Sequence, residues 1–538
     1  MDMMSVKFGL FMLITVVLYY TLAKRKQWIL LLAANLVFYL FSGPANMVFI
    51  LITSVTTWGG AFMMEKLEAE GKLKRKNPEL SKEDKKLIKA GILKKKRLIL
   101  AAVLLINFGI LAFLKYFRPI FMFVAPRLHM DPNALMPPPM PGNPPFQGLL
   151  LPLGISFYTF QSVGYLIDIY GAKYEAERNW FKYLTFVSFF PQLIQGPINR
   201  FDSLKKDLFT THRLSQDMFR SALLRFAIGA MKKYALANVL AGSVSAILDN
   251  KFPGLSGITI VFGIFLYGVQ QYADFSGGID MAMAAAELLG IHMTENFRQP
   301  YFATSLGDFW RRWHISLGQW MRDYVFYPFA LTKPMQSLGK NTEKALGKHM
   351  GRVLPACIAN ILVFFIVGIW HGAELHYILW GLYNGVVIAL SDLFAPAFNA
   401  LSGILHMNTK SKGFHVFRII RTFIIVHIGW YFDRIIDFKT TLIMFKNTFL
   451  NINVAGFIKD FKELFLQQVS PWCIYTAIIS YIIVIVMSVI NERGGDAYKS
   501  VKSMKLLPRW AFYLLIFYLI DFGLIYGTAT EGFMYAFF

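Results

Sequence analysis

Residues 361–385 read ILVFFIVGIWHGAELHYILWGLYNG. An apolar run ends at Trp370, His371-Gly372 interrupts it, and a second apolar run follows. Extended to either side, the two runs become candidate spans at 353–370 and 376–395. Each is close to the roughly 20 apolar residues that cross a hydrocarbon core of about 30 Å. Further candidates lie outward along the chain at 5–22, 27–42, 45–63, 98–116, 148–169, 219–245, 255–273, 416–432, 472–490 and 509–527. The apolar stretch 181–198 differs, because Pro191, Gly196 and Pro197 break it. Irregular backbone at membrane depth must be buried in protein, so this stretch is expected to be re-entrant. Of 538 residues, 56% are hydrophobic and only 16% charged, against about a quarter charged in a soluble domain. Aromatic residues, also 16%, suit lipid-facing helices with interfacial belts. The expected fold class is all-α: a polytopic integral membrane protein with about 10–12 transmembrane helices, accompanied by re-entrant and interfacial helices.

The net charge of +23 is concentrated in loops. Lys24-Arg25-Lys26 follows the first candidate span, the basic stretch 65–97 follows the third, and 198–213, with Arg200, Lys205, Lys206 and Arg213, follows the broken segment. Positive residues in short loops mark the cytoplasmic face. With the N-terminus outside, all three fall on that face, and the Pro-rich loop 125–147 (APRLHMDPNALMPPPMPGNPPFQ) lies outside. This distribution points to a lipid membrane rather than nucleic acid as the partner of the charge. The stretch 65–97 reads either as an amphipathic helix on anionic lipid or as a solvated loop. Met1-Asp2-Met3-Met4 offers no basic n-region and no small-residue cleavage site precedes the next span, so the first apolar run is expected to be a span and not a cleaved signal. Cys357 and Cys473 both sit in apolar runs; they form neither metal spacing nor a disulfide framework and read as small buried hydrophobes. Without internal repeats or a long linker, 1–538 reads as one membrane domain, with its unusual polar residues gathered in the block 150–385.

Three segments in that block carry chemistry. In 151–201, Ser156, Thr159, Gln161 and Asp168 lie within an apolar run, and Pro191-Gln192 and Gln195-Gly196-Pro197 break its second half. Polar groups at such depth face a protein interior or a cavity, although a helix break packed by its neighbours would look the same. In 301–328 (YFATSLGDFWRRWHISLGQWMRDYVFYP), helical spacing puts Trp310, Trp313, Leu317, Trp320 and Tyr324 on one stripe. Arg311, His314, Gly318 and Arg322 then share a neighbouring face. This helix is too charged to span; it reads as an interfacial anchor, or as an element dipping into a lined cavity. The third segment is the opening one, where His371 ends an apolar run. An ionisable group there is costly and therefore a candidate site, and histidine titrates near neutrality and is the commonest general base. A satisfied core histidine is the bland alternative, and Glu374 and His376 fit loop residues at the bilayer surface. In 270–280 (QQYADFSGGID), Asp274 and Asp280 fit a helix–helix polar contact or a turn at Gly277-Gly278. No Walker-type loop, G-x-S-x-G elbow or His-Glu-x-x-His occurs, so ATP hydrolysis, serine esterase chemistry and zinc proteolysis lack support.

These segments resemble the membrane-bound O-acyltransferase family (MBOAT), and more narrowly its alginate O-acetylation branch. The resemblance rests on Leu151 to Phe160 (LPLGISFYTF), Phe189-Phe190-Pro191-Gln192 with Gly196-Pro197-Ile198, Asp274-Phe275-Ser276-Gly277, Asp308 to Leu317 (DFWRRWHISL) and Gly368-Ile369-Trp370-His371-Gly372. It covers roughly 150–385. It is less close to the teichoic-acid D-alanylation branch, which shares the Trp-His and Trp-His-Gly elements. The resemblance implies a helical fold around a central catalytic tunnel, His371 as the catalytic residue in the membrane core, and His314 beside it. Arg311, Arg322, Asp308, Gln192, Asp274 and Trp370 become candidates for lining the substrate or donor tunnel. It implies no bound cofactor and no metal; acetyl-CoA or an acyl-carrier thioester is the expected donor substrate. The acceptor would be a polysaccharide, or a secreted or membrane-tethered SGNH-type acetyltransferase that completes delivery. The location implied is the bacterial cytoplasmic membrane. Transfer of D-alanine to teichoic acid is the competing enzymatic reading, and a transporter or flippase the competing class.

The charge asymmetry makes a direct topological prediction. In a background without Cys357 and Cys473, Asn133→Cys should react with an impermeant thiol reagent on intact cells and Ser81→Cys should not. Labelling of Ser81→Cys alone would invert the topology.

Overall fold

The structure is a computed structural model and describes residues 3–24, 26–41, 43–131, 152–249, 254–466 and 470–527. It is 81% helical, with no strand among the described residues and one isolated antiparallel bridge, Phe297 to Trp313. Helices satisfy every backbone polar group within the segment, which is what a hydrocarbon solvent demands. The chain is a polytopic membrane protein of all-α class.

Helices stand at each expected span, but they differ in reach. Among the described residues, five are long and apolar enough to cross a membrane: Pro44–Arg75, Lys82–Phe117, Lys348–His371, Pro471–Glu492 and Leu506–Tyr526. A sixth is added if Leu375–Leu393 and Ala395–Ile404, bent by 56° at their break, form one span. Val6–Thr21 and Gln27–Leu40 are apolar but have only 16 and 14 residues. At about 1.5 Å per residue they fall short of a core about 30 Å thick. The candidate 219–245 is divided among Gln216–Ala230, a π-helical turn Met231–Ala237 and Asn238–Leu248.

The chain divides into two compact units, Met1–Phe219 with Ala285–Thr294, and Arg220–Ala284 with Glu295–Ala536. In the first, the basic stretch 65–97 is neither a separate surface helix nor a loop. It is the end of Met47–Arg75 and the start of the 43-residue helix Lys82–Val124. Ser81 caps the second helix: its hydroxyl accepts from the Asp84 N–H at 3.0 Å, and the Asp84 carboxylate accepts from the Ser81 N–H at 3.2 Å. Most of the Pro-rich loop 125–147 lies outside the described residues. The broken stretch 181–198 consists of Trp180–Val187 and the short helix Phe190–Ile194. Phe186, Phe189, Phe190 and Leu193 are wholly buried within it, as irregular backbone at membrane depth requires.

In the second unit, the helix Gly257–Glu287 continues through Gly277-Gly278 without a break. Gly277 serves packing here: a Cβ on it would stand 2.7 Å from the Gly229 carbonyl oxygen. That close approach brings Asp274 to Lys233 in a buried ion pair. It also brings Asp280 to Arg225 at 3.2 Å and Lys232 at 2.7 Å. Lys348–His371 and Leu375–Leu393 form an antiparallel hairpin, the second element on which the site rests. A Cβ on Gly381 would lie 2.3 Å from the Phe364 carbonyl oxygen, and one on Gly368 would lie 2.6 Å from that of Tyr377. The small residues let the two backbones meet, as interfaces between membrane helices require.

Candidate functional site

His371 is the last residue of Lys348–His371, at the turn of the hairpin. Gly372 follows because space demands it: a Cβ there would lie 2.6 Å from the Tyr377 ring. His371 is 5% exposed, and its ring packs against those of Tyr377 and Trp380 at centroid distances of 5.8 and 5.1 Å.

His314 is placed by a different device, and here the structure corrects the expectation of one continuous helix over 301–328. The segment is divided into Leu306–Arg312, Ile315–Met321 and a π-helical turn Arg322–Phe326. Trp313 is extended and His314 is left-handed, at φ 48°. The cause is a short stretch of chain that pairs across the break. The Arg298 N–H donates to the Arg312 carbonyl at 2.9 Å, and the Ile315 N–H donates to the Asn296 carbonyl at 3.0 Å. Phe297 and Trp313 form the bridge between them. A non-glycine residue at positive φ is held only where its surroundings over-determine it, and such strain gathers at functional sites. His314 lies outside the spanning helices, and burial pushes its pKa down to about 3, because desolvation disfavours the charged ring. The ring is therefore neutral throughout the physiological range.

His371 and His314 line one cavity of about 620 Å³. The Trp370 ring neighbours both, 4.9 Å from the His371 centroid and 6.4 Å from that of His314. Arg311 and Arg322 line the same cavity with Trp310 and Trp313. Both arginine side chains are largely exposed, at 70% and 55%, so they stand where the cavity meets its surroundings. The other candidates are placed elsewhere. Trp370 touches both imidazoles but is not part of the cavity wall. Asp308 accepts from the Thr304 N–H at 3.2 Å and pairs with Arg312 at 3.2 Å, bracing the start of its helix. Gln192 belongs to the first unit, where its side-chain Oε1 accepts from the Asn199 side-chain amide at 3.2 Å. Asp274 is engaged by Lys233. Glu374 stands at the N-terminal boundary of the next helix without a side-chain capping bond, and His376 contacts the Phe432 carbonyl through Nδ1 at 3.2 Å; neither lines the cavity.

Sequence reasoning missed Asn296, Trp380 and Asp392. Trp380 and Asp392 line the cavity, and the helical period could have found them, since they share the helix that follows His371. Asn296 lies 18 residues before its histidine and carries no local signal.

Both histidines and the whole cavity wall fall within residues 176–428, which match the family model MBOAT, membrane-bound O-acyltransferase family. This stretch of the chain is therefore similar to the membrane-bound O-acyltransferase family. Among curated relatives, "Probable alginate O-acetylase AlgI" of Pseudomonas syringae pv. tomato is 37% identical over 289 residues, 53% of this chain and 49% of that protein. The Helicobacter pylori "Peptidoglycan O-acetyltransferase" is 28% identical over 425 residues, 72% of this chain and 74% of that protein. The Bacillus subtilis "Teichoic acid D-alanyltransferase" is 30% identical over 262 residues, 48% of this chain and 62% of that protein. The chain thus spans about half the length of the alginate O-acetylase it matches.

The placement of Asp274 yields a prediction. Asp274→Ala leaves the Lys233 ammonium buried without its carboxylate, which should cost about 3–5 kcal/mol. The loss should appear as a lowered thermal midpoint in detergent, and Lys233→Met combined with Asp274→Leu should recover most of it. A fully stable Asp274→Ala protein that lacks activity would instead give Asp274 a chemical role.

Proposed function

We propose that the chain is a membrane-bound O-acyltransferase that moves an acyl group, most simply acetyl, from a cytoplasmic thioester to a hydroxyl of a cell-surface glycan. The observation that carries this reading is the single cavity shared by His371 and the neutral, buried His314. The names of the relatives favour acetyl over D-alanyl transfer, since the alginate O-acetylase is the more similar in sequence. An exopolysaccharide of the alginate kind is the acceptor proposed. A secreted or membrane-tethered SGNH-type partner would complete delivery where the acyl group does not reach the sugar directly.

In this reading a thioester carbonyl enters the cavity and a hydroxyl approaches it beside His371. As the new C–O bond forms, neutral His371 takes the hydroxyl proton. Negative charge gathers on the former carbonyl oxygen, where a hydrogen-bond donor at His314 stabilises it. The C–S bond then breaks, and the leaving thiolate takes the proton back from His371. Ester and thiol leave, and the ring is neutral again. Tryptophan rings along the wall exclude water, which would otherwise compete with the acceptor for the thioester. The basic ends at 65–97 suit an acidic donor such as coenzyme A or a carrier protein. This requires an N-out topology in a bacterial cytoplasmic membrane.

The test is acyl transfer by the purified chain in nanodiscs, supplied with labelled acetyl-CoA and a polysaccharide acceptor. His371→Ala should lower turnover by about 10²–10⁴-fold at wild-type abundance and monodispersity. His314→Ala should be strongly impaired and His314→Gln partly restored, because Gln keeps a donor. Glu374→Ala and His376→Ala should keep most activity. Near-normal transfer by a well-folded His371→Ala protein would refute the assignment and return the chain to the transporter class.

A further inference from the structure

The side chain of Asn296, wholly buried, determines which nitrogen of His314 carries the proton. An amide oxygen and nitrogen are told apart by their partners, and here the partner is unambiguous. The Ser316 backbone N–H can only donate, and it meets one terminal atom of Asn296 at 2.9 Å. That atom is therefore the oxygen. The Ser316 hydroxyl donates to the same oxygen at 2.9 Å, so both lone pairs are engaged. The amide nitrogen then faces His314 Nδ1 at 3.2 Å, closer than the 3.4 Å from Nδ1 to the oxygen. An amide nitrogen only donates, so Nδ1 must accept, and in a neutral imidazole the remaining proton sits on Nε2. The Asn296 carbonyl meanwhile holds the Ile315 N–H at 3.0 Å. One residue thus anchors the chain on the far side of the strained histidine and sets its ring. The Phe275 ring, edge-on at 4.9 Å, fixes the plane of the imidazole.

We infer that Asn296 is a positioning residue that locks His314 as an Nε2–H donor. This rests on the acyl-transfer reading for its consequence, though not for its geometry. The two histidines then cannot exchange roles. His314 serves as the electrophile that faces the thioester carbonyl oxygen, and the proton from the acceptor hydroxyl has only His371 to go to. A neutral imidazole suits that task, because it gives a hydrogen bond to a developing oxyanion without first having to be protonated.

The experiment uses the full chain in nanodiscs with histidine labelled at the ring nitrogens. Nitrogen NMR reports the protonated position, and the His314 signal is identified by its absence in His314→Gln. The wild type should carry the proton on Nε2 at neutral pH. Asn296→Asp presents only acceptors and should move the proton to Nδ1, with kcat for acyl transfer lowered about 10²-fold or more and the donor KM little changed. Ser316→Ala keeps the backbone donor that orients the amide and should leave the proton on Nε2. A proton on Nδ1 in the wild type would overturn the inference, whatever the fate of Asn296→Asp. So would a folded Asn296→Asp protein with the proton still on Nε2 and kcat unchanged. An Nε2 proton in a chain that transfers no acyl group would refute the proposed function and leave the assignment of the proton standing.

Discussion

Backbone pairing between 296–298 and 312–315 is the contact on which the rest of the site depends. Helical periodicity alone would carry 301–328 through as one helix with the His314 ring on its surface. Two backbone hydrogen bonds and one bridge divide it instead. The chain turns through a left-handed residue and directs the ring inward, among Phe275, Trp370 and the cavity. Holding a non-glycine residue in that conformation costs of order 1–3 kcal/mol. It persists because Asn296 engages the backbone and side chain just beyond it.

His371 is positioned by packing, not by pairing. Gly368, Gly372 and Gly381 remove the Cβ atoms that would separate the two arms of the hairpin, and the turn between them places the imidazole against Tyr377 and Trp380. Two unrelated devices therefore meet at one cavity. In the same unit the charges of Asp274 and Asp280 are held by Lys233, Lys232 and Arg225. Such pairs are expensive to break in a low-dielectric interior, and they tie Gln216–Ala230 and its π-helical turn to Gly257–Glu287. These carboxylates are engaged by cations in ion pairs, whereas the two histidines line the cavity.

This division explains what was legible in the sequence. The helical membrane class followed from run length, because apolar helices need no partner to declare themselves. His371 stood out because it ends such a run. His314 was found through its neighbours Trp313 and Arg311, but its conformation was not, since helical periodicity assumes that the helix continues. The break is imposed from Asn296 and Phe297, and no local propensity encodes a pairing with a distant stretch. For the same reason the engagement of Asp274 was hidden, since its cation, Lys233, lies far away in the chain; Arg312, four residues after Asp308, is a helical pairing that the sequence itself allows. The basic stretch 65–97 showed its charge but not that its two halves prolong neighbouring helices.

The central claim is that the cavity shared by His314 and His371 is where the acyl group reacts. It is tested most directly by an electron cryomicroscopy structure of the chain with a non-hydrolysable acetyl-CoA analogue. The account predicts the acyl carbon inside the cavity beside His371, with its carbonyl oxygen within hydrogen-bonding distance of His314 Nε2. An analogue bound with its acyl group outside that cavity, away from both rings, would contradict it.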